Sequence, residues 1–373
     1  MKRKPSPAGR VLDLALWLFA GALVAMYFDP PLIVIVEFLA WLVAIQLLVT
    51  VVHELGHWLA GRLAGFRTMR FSVGPLNWLV VNGRIRFRAS CRRGMPAGAT
   101  QMFYDGEDAV ERRYMVFIAG GPVMSLTTAA LAAALALSLS GGGLRFVLFL
   151  YAWLSAFAGI INLLPVRFGA FSSDGLQLLT LLRGGQEARH MLAVFRLSTL
   201  LYAGVRPRDW PREIVAVLDE GEPSPAQRNA LHAMQFLCLR DREETETARR
   251  VLEAELEALQ QENSQLEANW RLEGAFFYAQ VDGDGVKARE HFTRGANAVY
   301  VDEVVRHMIE AEVLLAERRV QEAEQALVRA IATRENIVYT PPGIPMAEAL
   351  QDLEQRLRET VAAEERNVLS RVV

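Results

Sequence analysis

Two histidines and a glutamate stand in the stretch VVHELGHWLAG, residues 51–61, at the end of a run that is otherwise hydrocarbon-like, PLIVIVEFLAWLVAIQLLVT. An ionisable group is costly inside a bilayer, so its default reading there is functional. On a helix of about 3.6 residues per turn, His53 and His57 lie one above the other on one face, with Glu54 projecting beside them. Two imidazoles at that spacing with an adjacent carboxylate form the HExxH pattern of zinc hydrolases. The histidines then hold the metal and Glu54 acts as general base.

Two histidines do not complete a catalytic zinc site, which needs three protein ligands and an open position. The other four, His190, His232, His291 and His307, fall in the charged C-terminal half and read as ordinary surface or helix residues. A carboxylate close to the membrane is the better donor. In NLLPVRFGAFSSDGLQLL, residues 162–179, a proline stops one apolar run and Asp174 opens another. Asp174 has two readings here: a helix cap, because Ser-Ser-Asp before an apolar run is an N-terminal signal, or the third ligand. A further motif, FIAGGPVMS at 117–125, puts Gly120, Gly121 and Pro122 inside an apolar run. Small residues there let membrane helices pack closely.

The elements that must carry these groups are visible in the distribution of apolar residues. The chain has 373 residues, 52% of them hydrophobic, and a mean hydropathy of +0.17, high for a protein that is water-soluble throughout. The excess is concentrated in four windows, 11–28, 31–63, 114–138 and 144–164, each long enough to cross a hydrocarbon core of ~30 Å. The first follows MKRKPSPAGR and reads as an uncleaved helix, since no small-x-small cleavage site comes after it. Lys2, Arg3, Lys4 and Arg10 precede the first window, and arginines from Arg62 to Arg93 follow the second, while the opposite connections are short. By the positive-inside rule both termini are cytosolic, with four crossings between them. His53 then lies about 24 Å deeper than Glu37, in the inner third of the membrane. The formal net charge of -2, with no basic stripe interleaved with aromatics, gives no sign of a nucleic-acid partner. Cys91 and Cys238 fall on the cytosolic side, which disfavours a disulfide or a thiolate metal site.

HELGH at the end of one membrane helix, AGGP in the next, and NLLP followed by DG resembles the site-2 protease family of intramembrane metalloproteases over roughly residues 32–182. The resemblance implies zinc held by His53, His57 and Asp174, with Glu54 as catalytic base and Asn162 positioning substrate or the reaction intermediate. It also implies a membrane-anchored protein substrate. Two departures stand out. Asp174 is nine residues beyond Pro165, farther than in many members, and Ser125 stands where the GGP motif often continues to asparagine. An insertion in a flexible loop costs little closure entropy, and neither change removes a group the chemistry needs.

Between the second and third windows, RFSVGPLNWLVVNGRIRFR has two β-rich arms around Asn82-Gly83, a strong hairpin signal. Such a hairpin either receives an extended peptide by strand addition or simply sits at the membrane interface, anchored by Trp78 and its arginines. From about residue 206 the pattern is charged and helical. ARRVLEAE at Ala248, AREHFTRG at Ala288 and AEQALVRA at Ala323 share a small residue with an apolar one four later, and the last two copies are 35 residues apart, near the tetratricopeptide period. A short coiled coil over the acidic stretch before residue 270 is the second reading. VDGDG at 281–285 reads as a turn rather than a calcium loop.

The expected fold class is all-α: a polytopic membrane domain of about four transmembrane helices with a small β-hairpin loop, plus a cytosolic tetratricopeptide-like repeat domain. Residues 1–185 would form the zinc metalloprotease domain, 186–226 a linker with an amphipathic helix, and 227–373 the repeats. The expected activity is hydrolysis of a membrane-anchored, regulatory protein in a bacterial plasma membrane, with membrane lipid around the helices and a cytosolic protein partner on the repeats. The alternative is a membrane-anchored repeat scaffold whose protease-like part is inert, although an anchor has no use for His53, Glu54, His57 and Asp174. A zinc transporter, the third option, would spread polar ligands over several helices at midplane rather than cluster them.

Overall fold

The computed structural model describes residues 32–81, 83–89, 97–168, 171–224, 227–262, 264, 266–299, 301–337 and 344–372. The first apolar window, Asn82 and Cys91 lie outside these. Among the described residues the fold is mostly helical, with thirteen α-helices and one small four-stranded sheet.

Among the described residues, three helices are long and apolar enough to cross a membrane: α1 (Leu32–Leu63), α2 (Val110–Ser138) and α3 (Gly143–Leu163). Val43, Leu131 and Trp153 on them are 62%, 65% and 70% exposed. Helices with large apolar side chains facing outward are solvated by lipid rather than water. Small residues set their spacing, as the AGGP motif predicts. A methyl group on Gly56 of α1 would lie 2.3 Å from the Gly120 carbonyl oxygen of α2, so the two backbones touch.

The α1–α2 connection holds β1 (Arg67–Val73), β2 (Leu76–Val81), β3 (Arg84–Ala89) and β4 (Gly98–Phe103), all antiparallel in the order β3-β2-β1-β4. The expected hairpin is the β2–β3 pair, and β1 and β4 extend it into a sheet. In register, Phe71, Trp78 and Phe87 form an aromatic row on one face, with ring centroids 5.9 and 5.5 Å apart. The other face carries Arg70, Asn77, Arg86 and Arg88. Arg88 donates to the Glu335 carbonyl oxygen at 3.0 Å, and Arg86 pairs with the Glu335 carboxylate at 3.4 Å, which ties β3 to the C-terminal helices.

After α3 come a two-stranded hairpin, β5 (Arg167–Phe168) and β6 (Phe171–Ser172), then α4 (Asp174–Arg183), α5 (Gly185–Tyr202) and α6 (Arg212–Ala216). The tail consists of α7 (Arg228–Asp241), α8 (Thr245–Gln261), α9 (Glu267–Gln280), α10 (Gly285–Arg294), α11 (Glu303–Ala316), α12 (Val320–Thr333) and α13 (Ile344–Val372). The acidic stretch does not coil with a single partner. It forms α8, whose Leu252, Leu256 and Leu259 are buried in a core with Phe236 of α7 and Trp270 and Phe277 of α9. VDGDG is the turn between α9 and α10, with Asp284 capping α10 through the Lys287 N–H at 2.9 Å. Glu243, Gly283 and Arg318, at φ 62°, 64° and 60°, occupy equivalent left-handed positions in the turns α7–α8, α9–α10 and α11–α12. Five residues after each comes a fully buried alanine: Ala248, Ala288 and Ala323.

Candidate metal centre

The last third of α1 presents His53, Glu54 and His57, all buried. Their helical spacing alone would leave both rings free to rotate, and neighbouring elements fix them. His57 Nδ1 lies 3.0 Å from the Phe117 carbonyl oxygen on α2. A carbonyl only accepts, so Nδ1 carries the hydrogen and Nε2 presents a lone pair. His53 Nδ1 is 3.0 Å from the hydroxyl of Ser125, a fully buried residue whose own carbonyl oxygen accepts from Ser155. Gly121 makes room for the His57 ring: a methyl group there would lie 2.3 Å from Nε2.

Asp174 arrives from the far side. The helix cap is not Asp174 but Ser173, whose hydroxyl accepts from the Leu176 N–H at 3.2 Å and donates to the Leu164 carbonyl oxygen at 2.6 Å. This leaves the Asp174 carboxylate free of capping duty. Gly175 presses α4 onto the end of α3, since a methyl group there would lie 1.9 Å from the Leu163 carbonyl oxygen. Asp174 Oδ2 is thereby placed 3.3 Å from His53 Nε2 and 3.4 Å from His57 Nε2, and the two imidazole nitrogens are 3.2 Å apart.

This triangle fits a metal ion. Asp174 Oδ2 is buried and makes no well-formed hydrogen bond, an arrangement that is costly unless something else occupies the centre. Ligands about 2.0–2.1 Å from a tetrahedral zinc stand roughly 3.3–3.4 Å from one another, close to the three separations found. The partners behind the histidines, the Phe117 carbonyl and Ser125, supply the outer hydrogen bonds that orient metal-ligating imidazoles. Among the described residues this is the one cluster of three such donors.

The remaining expectations fall as follows. Glu54 lies beside the triangle, with Oε2 accepting from the Thr100 hydroxyl at 2.7 Å. Asn162 sits in the last turn of α3, where its amide donates to the Ala158 carbonyl oxygen at 3.0 Å. His190, His232 and His307 bond to Glu220, Glu255 and Glu310, and His291 packs on the Tyr278 ring, all in α5 and the tail. Ser125 had a signal in the sequence, its place after GGP. Thr100 had none, because its contact with Glu54 depends on how β4 lies against α1.

Residues 40–143 match the sequence model of Peptidase family M50. No curated protein and no solved structure matches the chain. The matched stretch contains His53, Glu54, His57 and the GGP motif, and the structure adds Asp174 to the same centre. The chain carries a metallopeptidase domain of that family, the site-2 protease family.

Proposed function

We propose that this M50 domain is an intramembrane zinc metalloprotease that hydrolyses a peptide bond of a membrane-anchored, regulatory protein. The observation that carries the reading is the triangle of His53 Nε2, His57 Nε2 and Asp174 Oδ2, with separations of 3.2–3.4 Å, set beside Glu54 at the end of an apolar helix. His53, His57 and Asp174 would hold the metal. A bound zinc supplies a water acidified toward pKa ~7 and polarises the peptide carbonyl. Glu54 takes the proton of the attacking water and delivers it to the leaving amine. Asn162 positions the substrate carbonyl. For this it must exchange its bond to Ala158, a neutral hydrogen bond whose net worth is only about 1 kcal/mol.

A helical peptide bond is shielded, so the substrate must be extended at the site. Among the described residues, strand β4 is an edge of the sheet, bonded on one side only, to β1. Its free edge suits strand addition by an unwound segment, a better receptor than the β2–β3 hairpin because β4 runs beside Glu54. Lysines and arginines flanking the apolar windows favour a cytosolic active-site mouth and cytosolic termini, in a bacterial plasma membrane. Residues 1–185 form the protease part, 186–226 link it, and 227–373 form tetratricopeptide-like repeats that bind a cytosolic protein partner.

The repeat reading is supported by more than the spacing of the three turns, 40 and 35 residues apart. The arginine directly after each of the first two buried alanines reaches the acidic residue directly before the next left-handed turn residue. Arg249 grips Asp282 at 2.6 and 2.9 Å, and Arg289 grips Glu317 at 2.8 and 2.7 Å. One inter-unit contact thus recurs, as stacked repeats require. The test compares membrane proteomes of cells carrying the intact chain or Glu54→Gln. A full-length membrane protein should accumulate with the variant, and two indistinguishable proteomes would contradict the proposal.

A further inference from the structure

Strand β4 presents alternate residues Gly98, Thr100 and Met102 to α1. Met102 fills the groove at Gly61, where a methyl group would lie 2.5 Å from its sulfur. At the other end, a methyl group on Gly98 would lie 2.6 Å from Glu54 Oε1 and 2.7 Å from Glu54 Cγ. Between them the Thr100 hydroxyl is 2.7 Å from Glu54 Oε2 and 3.1 Å from the Glu54 backbone carbonyl oxygen. A threonine hydroxyl has one hydrogen to give, and the nearer acceptor is the carboxylate. One face of one strand therefore closes on the general base from both sides: a missing side chain at Gly98 against Oε1 and a donor at Thr100 against Oε2.

We propose that Thr100 is the positioning residue for Glu54, and that β4 holds the base in the orientation that serves the attacking water. The proposal rests on Glu54 as general base. A carboxylate turns easily about its last bond. One donor bound to Oε2 stops that rotation, and the missing side chain at Gly98 leaves room at Oε1, the oxygen that would handle the proton. The same strand is the edge offered to an extended substrate, so a peptide docked on β4 also steadies the strand that steadies the base. Thr100 therefore acts on turnover rather than on metal binding, since it touches none of His53, His57 and Asp174 through the hydrogen bonds it makes.

Thr100→Val keeps the shape and removes the hydrogen; Thr100→Ser keeps the hydrogen and removes a methyl group. The full-length protein in detergent is assayed on fluorescein-labelled casein, an unfolded chain, for kcat, KM and zinc content. Thr100→Val should lower kcat by about ten- to hundredfold, the worth of a hydrogen bond to a charged group, with KM and zinc unchanged. Thr100→Ser should restore most of the loss. Full kcat in Thr100→Val, an equal loss in Thr100→Ser, or loss of zinc in Thr100→Val would each overturn the positioning role, the last by making Thr100 a purely structural residue. Glu54→Gln assayed alongside separates the two ideas. Cleavage by Glu54→Gln removes the base assignment itself, whereas an inactive Glu54→Gln beside a fully active Thr100→Val sinks the role of Thr100 alone.

Discussion

Ser173 and Asp174 are adjacent residues with separable jobs. The Ser173 hydroxyl caps α4 and ties it to the end of α3, while Asp174 turns its carboxylate toward the two imidazoles. Ser173→Ala should cost about 1 kcal/mol of stability, the usual worth of a cap, and leave zinc bound. Asp174→Ala should leave the helix intact and lose zinc. Melting curves and metal content of the two variants check this, and full zinc occupancy in Asp174→Ala would place the third ligand elsewhere. Asn162→Ala should retain zinc and slow turnover; unchanged kinetics would make it a helix-end residue only. The histidine pair and Glu54 were legible in the sequence because their geometry is local to one helix. Asp174 was ambiguous because cap and ligand leave the same trace, Ser-Ser-Asp before an apolar run. The structure gives the cap to the neighbouring Ser173 hydroxyl and brings the Asp174 carboxylate to the two imidazoles, a placement visible only in three dimensions.

Among the elements, β2 and β3 were legible because alternation and Asn82-Gly83 mark a hairpin, whereas β4 was not. Its sequence, GATQMF, opens with glycine and alanine, poor strand formers, and pairing with β1 across the intervening strands makes it a strand. The helices of the tail announce themselves through small residues at Ala248, Ala288 and Ala323, which are fully buried where helices cross. Helix α10 also carries a pH dependence. His291 is 5% exposed, its Nδ1 lacks a hydrogen-bond partner, and burial pushes its pKa down to about 4. The unfolded chain, at the ordinary value near 6.5, binds more protons between those two values. Stability from this group is therefore complete above about pH 6.5 and is lost progressively toward pH 4. The tail should melt at a lower temperature at pH 5 than at pH 7, and His291→Gln should remove part of that difference. Identical melting of the wild-type tail at both values would contradict it.

At the scale of the whole molecule, the protease part and the tail meet at Arg86 and Arg88 on β3 and Glu335 beyond α12. The Arg86–Glu335 ion pair is exposed, and such pairs contribute little stability. Phe236, Leu252, Trp270 and Phe277 in one core, and Leu314, Leu327 and Leu353 in another, give the tail its own interior. Residues from 206 onward should fold alone as a helical, zinc-free domain, and an unfolded circular dichroism spectrum would refute this. The central claim is that a metal-bound water in this centre is activated by Glu54. Its most direct test is the rate of casein cleavage by purified full-length protein and by Glu54→Gln at equal zinc occupancy. The account predicts that the variant keeps its zinc and loses cleavage by about 10²–10⁴-fold, the range of general acid–base catalysis. Zinc-loaded Glu54→Gln cleaving at the wild-type rate would contradict it.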